Sequence, residues 1–483
     1  MHLARLLTVA SAASLVNARE TVLGVYLFSR HGDRTAKSTP PANLTDLGYQ
    51  EIFNSGTYFR NRYIEAGATS PILGISPDLV KESQISVSAP VDTVLQNSAL
   101  GFVQGLYPPV GSALGSSALR NGAVVQSPLD GYQLIPIQTV SAGTGSEDSA
   151  WLQDTSNCAN AEISSDSYFS TLEYMTVLDE TDTFYLSLSP MINRTFSTKE
   201  TSYQNAYTIF DLLNVASIHN ASNDFPSSQL LTPEVFFQLR TRADEHEFNL
   251  AYNNSEPIRA VTGAILAAEV VEALNGTITG TGAKLNIQFG AYAGFLSFFG
   301  LSNLTQASKD FYGIPDYAST MVWELVTNAT ATTTSFPPTD EISVRFLFHN
   351  GTTSNISEPV AFPLFGQSQT LLSWNDFVDG MNKFAIGSQS AWCIACGNST
   401  GVCSPSVLSS SPSGSSGPST GSSGSNNGGG ISKAVAGTIG ALVTLGVILG
   451  AELLIVLLGG LRVVSRNRLA LTGASPAGSQ VKA

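Results

Sequence analysis

Thr21-Val-Leu-Gly-Val-Tyr-Leu-Phe28, followed at once by Ser29-Arg-His-Gly-Asp-Arg-Thr35, is the stretch that decides how this chain is read. The first eight residues are almost continuously apolar and rich in β-branched and aromatic side chains. They are too few for a core helix and lack a polar face, so they predict a strand buried on both sides of a parallel or mixed sheet. The run ends abruptly in polar residues and a glycine. In open α/β sheets, the crevice at the carboxyl ends of the strands is where ligands bind. Downstream, Asp92 precedes Val94, Leu95, Ser98, Ala99, Phe102 and Leu106 at helical spacing, with Pro108-Pro109 as a stop. A second helix is expected from Pro257 to Asn275-Gly276, and an alternating strand at Leu285-Asn-Ile-Gln-Phe289. The pattern predicts an α/β fold with a mixed, mostly parallel sheet flanked by helices. Residues 110–240, rich in Gly, Ser, Asn and turn signals, are expected to form a smaller, mainly α-helical inserted domain.

Arg30-His31-Gly32-Asp33-Arg34 has a definite chemistry available to it. Two guanidinium forks match the oxygens of a phosphoryl group, and a neutral imidazole between them can attack phosphorus. Gly32 lets backbone approach closely enough for a carbonyl to hold the other ring nitrogen and set the tautomer. The bland alternative is a polar loop with a solvated histidine, and the position directly after a buried strand argues against it.

The rest of the chain sets the compartment. Its 483 residues carry a net charge of -14 and only 12% charged side chains, which excludes a nucleic-acid binder relying on Lys and Arg. Residues 1–18, with Arg5, the apolar Leu6 to Val16 and Val16-Asn17-Ala18, predict a secretory signal. Residues 434–461 are apolar but for Glu452 and are followed by Arg462, Arg466 and Arg468. They predict a transmembrane helix, with 462–483 as a cytoplasmic tail and the body outside the plasma membrane. A lipid-anchor signal would end without such a basic tail. Between body and membrane, the Ser/Gly-rich residues 404–430 predict a stalk. Asn-x-Ser/Thr sequons at Asn43, Asn193, Asn220, Asn253, Asn275, Asn303, Asn328, Asn350, Asn355 and Asn398 predict N-glycans. Cys158, Cys393, Cys396 and Cys403 predict two disulfides closing the ectodomain (residues 19–403), with all three pairings open.

Arg30-His31-Gly32-Asp33-Arg34-Thr35 resembles the R-H-G-x-R-x signature of the histidine acid phosphatases, the branch with phytases and prostatic-type acid phosphatases. Leu44-Thr-Asp-Leu-Gly48, Ala99 to Pro109 with its Gly-Leu-Tyr-Pro-Pro ending, and Phe248-Asn-Leu-Ala-Tyr252 are similar too. The resemblance implies a phosphomonoesterase of small phosphorylated substrates that works without metal or other cofactor. His31 would be the nucleophile forming a phosphohistidine, and Arg30 and Arg34 would bind phosphate.

Two departures stand out. The family's further phosphate-binding Arg is absent from Val91-Asp-Thr-Val-Leu95, where Lys81 is the only nearby cation along the chain. The family's His-Asp pair, the Asp being the general acid, is replaced by Tyr292-Ala293; Tyr292 is a further candidate for hydrogen bonding phosphate. Asp33 and Glu247 are weighed as substitute acids. The run Asp244-Glu-His-Glu247 is expected to be a solvated loop or helix end, however, and His219 and His349, beside sequons, are expected at the surface. Three readings follow: a surface phosphatase slow on alkyl esters, an inactive binder of phosphorylated ligands, and a structural surface glycoprotein.

Overall fold

A computed structural model describes residues 20–140, 157–220, 228–354 and 356–405. The expected signal at 1–18, nearly all of the stalk, the span at 434–461 and the tail at 462–483 lie outside the described residues. Among the described residues, no helix is long and apolar enough to cross a membrane.

The opening apolar run is strand β1 (Thr21–Arg30), buried at every position but the first. It lies between β6 (Leu285–Gly290), which is parallel with Arg30 opposite Gly290, and β7 (Thr320–Thr327), which is antiparallel with Ser29 opposite Thr320. β2 (Ile85–Pro90) and β5 (Gln138–Val140) extend the parallel half beyond β6. β8 (Ile342–His349), β9 (Val360–Ala361) and β10 (Leu371–Ser373) complete an antiparallel half beyond β7. The sheet is therefore mixed, and most of its strands share the direction of β1. A separate hairpin of β3 (Ser116–Ala118) and β4 (Val124–Gln126) precedes β5.

Helices cover both faces. Asp46–Tyr63 and Thr93–Leu106 pack Ile52, Phe59, Phe102 and Leu106 against Val25, Leu27 and Ile287. The second helix begins as expected: the Asp92 carboxylate accepts from the Val94 and Leu95 N–H groups at 2.8 and 2.9 Å. On the other face, Val261–Thr279, Tyr292–Leu301 and Trp374–Met381 meet Tyr26, Phe28 and Trp323. The same core continues into the helices Leu172–Ser187, Ala206–His219 and Pro233–Ala251. The helix expected to end at Asn275-Gly276 runs on to Thr279, where Gly280 closes it at φ 73°. A Cβ on Gly24 would lie 2.6 Å from Thr277 Cγ2, so this helix can press directly on β1.

Leu285–Gly290 alternates in sequence, yet it is buried on both faces as a central strand. Its polar members are satisfied internally: Tyr26 donates to Gln288 Oε1 at 2.5 Å, and Gln288 Nε2 donates to Glu269 at 2.9 Å. Burial pushes the Glu269 carboxyl up to about 7; the Gln288 bond only partly opposes this, and Glu272 adds to it. A raised carboxylate pKa means the folded state binds the proton more tightly. Glu269 therefore withdraws stability as pH rises from about 4.5 through 7. Glu269→Gln is expected to stabilise the protein by ~1–2 kcal/mol at pH 8 and to change nothing at pH 4. Urea unfolding at both pH values checks this, and an equal gain at both would contradict it.

Glu324, fully buried on β7, is held by Arg62 (2.8 Å), Arg345 (2.6 Å) and Tyr63 (2.6 Å). The two disulfides pair Cys158 with Cys396 and Cys393 with Cys403, around a small core with Trp392, Val261 and Ile265.

Candidate active site

The chain leaves the sheet at Arg30, whose N–H donates to Ser319 O at 2.8 Å, and the His31 carbonyl accepts from Ala318 N–H at 2.8 Å. The loop then folds back on the helix that starts at Asp46. Thr45 N–H donates to Asp33 O, and Thr45 Oγ1 caps the helix by accepting from Gly48 N–H at 3.1 Å. A Cβ on Gly32 would sit 2.2 Å from Gly48 O, so this backbone-on-backbone contact requires glycine. Leu44-Thr-Asp-Leu-Gly48 is thus the seat of the histidine loop.

His31 is completely buried, with Nδ1 2.8 Å from the Gly32 carbonyl oxygen. A carbonyl only accepts, so Nδ1 carries the proton and Nε2 is the basic nitrogen of the neutral ring. Arg30 donates to the Pro315 carbonyl and lies 4.7 Å from the Tyr317 ring centroid and 5.5 Å from that of Tyr292. Arg34 is fully buried and engaged by a carboxylate. Its Nη1 lies 3.0 Å from Asp211 Oδ1, and its Nη2 donates to Tyr207 Oη at 3.2 Å. The Lys37 N–H also donates to Asp211, at 2.8 Å. Arg30, Glu51, Tyr207, Asp211, Arg240 and Tyr317 are among the walls of a cavity of about 400 Å³.

The Tyr292 hydroxyl donates to Glu247 Oε2 at 2.7 Å, and Glu247 Oε1 is 2.8 Å from His246 Nδ1. Burial alone would raise the Glu247 carboxyl; His246, Tyr292 and Lys37 together hold it below its ordinary value. Tyr292 therefore directs its proton at an anion and offers its ring to Arg30. Ala293 follows in the first turn of the Tyr292–Leu301 helix, where it has no proton to give.

Several expectations change. The run Asp244 to Glu247 is toward a helix end, as one alternative had it, but it is not simply solvated. It lies within the helix Pro233–Ala251, whose spacing turns Ala243, His246 and Ala251 inward and brings Glu247 to Tyr292. His219 is exposed as expected, yet its Nε2 is 2.6 Å from Asp33 Oδ2, which also accepts from Thr45. His349 is buried as the last residue of β8 and bonds Gly351 O and Ser357 Oγ. Lys81 precedes β2 and lies at the opposite end of the parallel half from the site, about 20 Å of strand away.

The cation at the site is Lys37 instead, 5.5 Å from the Tyr207 ring centroid and 5.4 Å from that of Tyr292. Its position three residues after Arg34 was the available signal. A further carboxyl, Glu51, accepts from Asp33 N–H at 2.8 Å, and burial raises its pKa despite Arg30. Among the described residues, no group of three or more His, Cys, Asp and Glu could hold a metal ion.

A mixed sheet with a buried histidine loop at the carboxyl end of its central strand defines a histidine-phosphatase fold. The family model of the histidine phosphatase superfamily, branch 2, matches residues 39–349, and the chain belongs to that family. The match begins after the histidine loop, so the loop's likeness rests on its own residues. Among solved structures, the phytase of Klebsiella sp. ASR1 aligns with TM-score 0.52 at 12% identity, over 76% of this chain and 95% of that one. The Citrobacter braakii phytase aligns with TM-score 0.50 at 12% identity, over 78% and 99%. At such identity these likenesses establish the fold. A search of curated proteins gives no match.

Proposed function

We propose that the chain is a phosphomonoesterase that transfers the phosphoryl group to His31 Nε2 and then to water, with good leaving groups preferred. The observation that carries this is the His31 ring, held by the Gly32 carbonyl as the Nδ1–H tautomer between Arg30 and Arg34. With Ala293 in place of an acid, an alkoxide must depart unprotonated, which forfeits about 10²–10⁴-fold. A phenolate or phosphate leaves without that help. Incubation of the full chain with a phosphorus-labelled aryl phosphate between about pH 3 and 7 should yield a base-stable, acid-labile phosphoprotein. Alkyl esters should turn over far more slowly, and Tyr292→His with Ala293→Asp should raise their rate by at least about tenfold. Absence of both label and turnover would sink the reading.

A second reading, a binder that does not turn its ligand over, is favoured by Asp211 on the Arg34 fork, where a phosphate would have to compete. Heat protection by phosphate without turnover would select it. We also propose an extracellular, glycosylated, membrane-anchored protein. Supporting this are the two disulfides and the fact that none of the sequon asparagines among the described residues is buried.

A further inference from the structure

We infer that a second, wider cavity beside the phosphate site receives an organic cation carried by the leaving group of the phosphoester. The link to turnover rests on the phosphatase reading; the binding of a cation does not. The cavity holds about 1000 Å³. It shares Arg240 and the segment Ile314 to Asp316 with the cleft that contains Arg30 and Tyr317, so the two are separated by one wall.

Phe248 and Tyr312 meet at a tilt of 54° with 4.7 Å between centroids, Tyr312 is 48% exposed, and Phe237 nearby is 62% exposed. Aromatic faces left open to solvent in a concave site attract cations through the ring quadrupole. The charges point the same way, because Glu173, Glu245, Asp310 and Glu358 line the cavity together with Asp244 and Asp316, against Lys309 and Arg240. Arg240 is already shared between Asp244 at 3.1 Å and Asp316 at 2.8 Å, and burial lowers the pKa of His349, opposing a positive charge there. A negative, aromatic-lined pocket next to a cationic phosphate loop suits a substrate with charge of both signs: a phosphate at one end and an ammonium group at the other. It opposes a polyanion, whose further phosphates would fall among carboxylates.

The probe is benzyltrimethylammonium, titrated calorimetrically into the full chain at low ionic strength. Saturable binding is expected, weakened at least about tenfold by Tyr312→Ala and by Asp310→Lys with Glu358→Lys. Both charge-reversed positions are exposed, and an unchanged melting curve verifies folding. In turnover, an aryl phosphate bearing a trimethylammonium group should show a KM about tenfold below that of a sulfonate-bearing ester matched in phenol acidity, at equal kcat. That difference should disappear in the charge-reversed variant. No saturable binding, or binding indifferent to the variants, overturns the inference. Cation binding sensitive to the variants without hydrolysis of either ester would refute the phosphatase reading and leave the pocket standing. Hydrolysis of both esters with equal KM and no cation binding would do the reverse.

Discussion

His31→Ala is expected to lower hydrolysis of an aryl phosphate by at least about 10⁴-fold, because no other described group is placed to take the phosphoryl group. His31 is fully buried at the end of the central strand, and its tautomer is set by a backbone carbonyl, so no neighbouring side chain can restore the missing nitrogen. The loop around it is anchored by backbone contacts, Arg30 N–H to Ser319 O and Ala318 N–H to the residue 31 carbonyl, which an alanine keeps. The variant should therefore fold and still bind phosphate through Arg30, separating loss of chemistry from loss of binding. A residual rate within tenfold of the parent would show that water attacks directly and that the histidine is not the nucleophile.

The largest expected effect on stability lies elsewhere, at Glu324. Its carboxylate is fully buried and is the common partner of Arg62, Arg345 and Tyr63. Removing one partner of a buried ion network leaves charges uncompensated, so Glu324→Ala should cost about 3–5 kcal/mol near neutral pH. Burial alone would raise this carboxyl, but Arg62 and Arg345 hold it below its ordinary 4.5. A depressed carboxylate pKa contributes stability that is complete above about pH 4.5 and lost as pH falls through the folded value. The difference between parent and variant in urea unfolding should therefore begin to narrow as the pH falls below about 4.5. A difference that stays constant from pH 6 to the lowest pH at which the parent folds would show that packing, not charge, holds this part of β7.

What was legible in the sequence was local. Thr21 to Phe28 gave its strand through continuous apolarity, and Asp92 its helix start through a cap and helical spacing. The histidine loop was found because its residues are consecutive. Its partners were not, because Arg34 reaches Asp211 and Tyr207 across more than 170 positions and no local pattern marks them. The charge run at Asp244 to Glu247 misled for a physical reason: within a long helix, polar residues at inward spacing can be buried if they meet one another, as His246, Glu247 and Tyr292 do. His349 misled because a sequon speaks only for its asparagine. His349 is the last residue of β8 and is buried, whereas Asn350, the first residue past the strand, is exposed.

The position of β1 between β6 and β7 has a consequence for the protein's birth. Val25 pairs with Leu285, and Ser29 with Thr320, so the first strand made is completed by two of the later ones. At about 5–20 residues per second of synthesis, β1 waits roughly 15–50 s after emerging before either neighbour exists. Throughout that interval an apolar segment with open hydrogen-bonding edges travels unsheathed, a ready substrate for chaperones and a hazard without them. The histidine loop, although translated within the first few seconds, can become a site only when nearly three hundred later residues have arrived to build its walls.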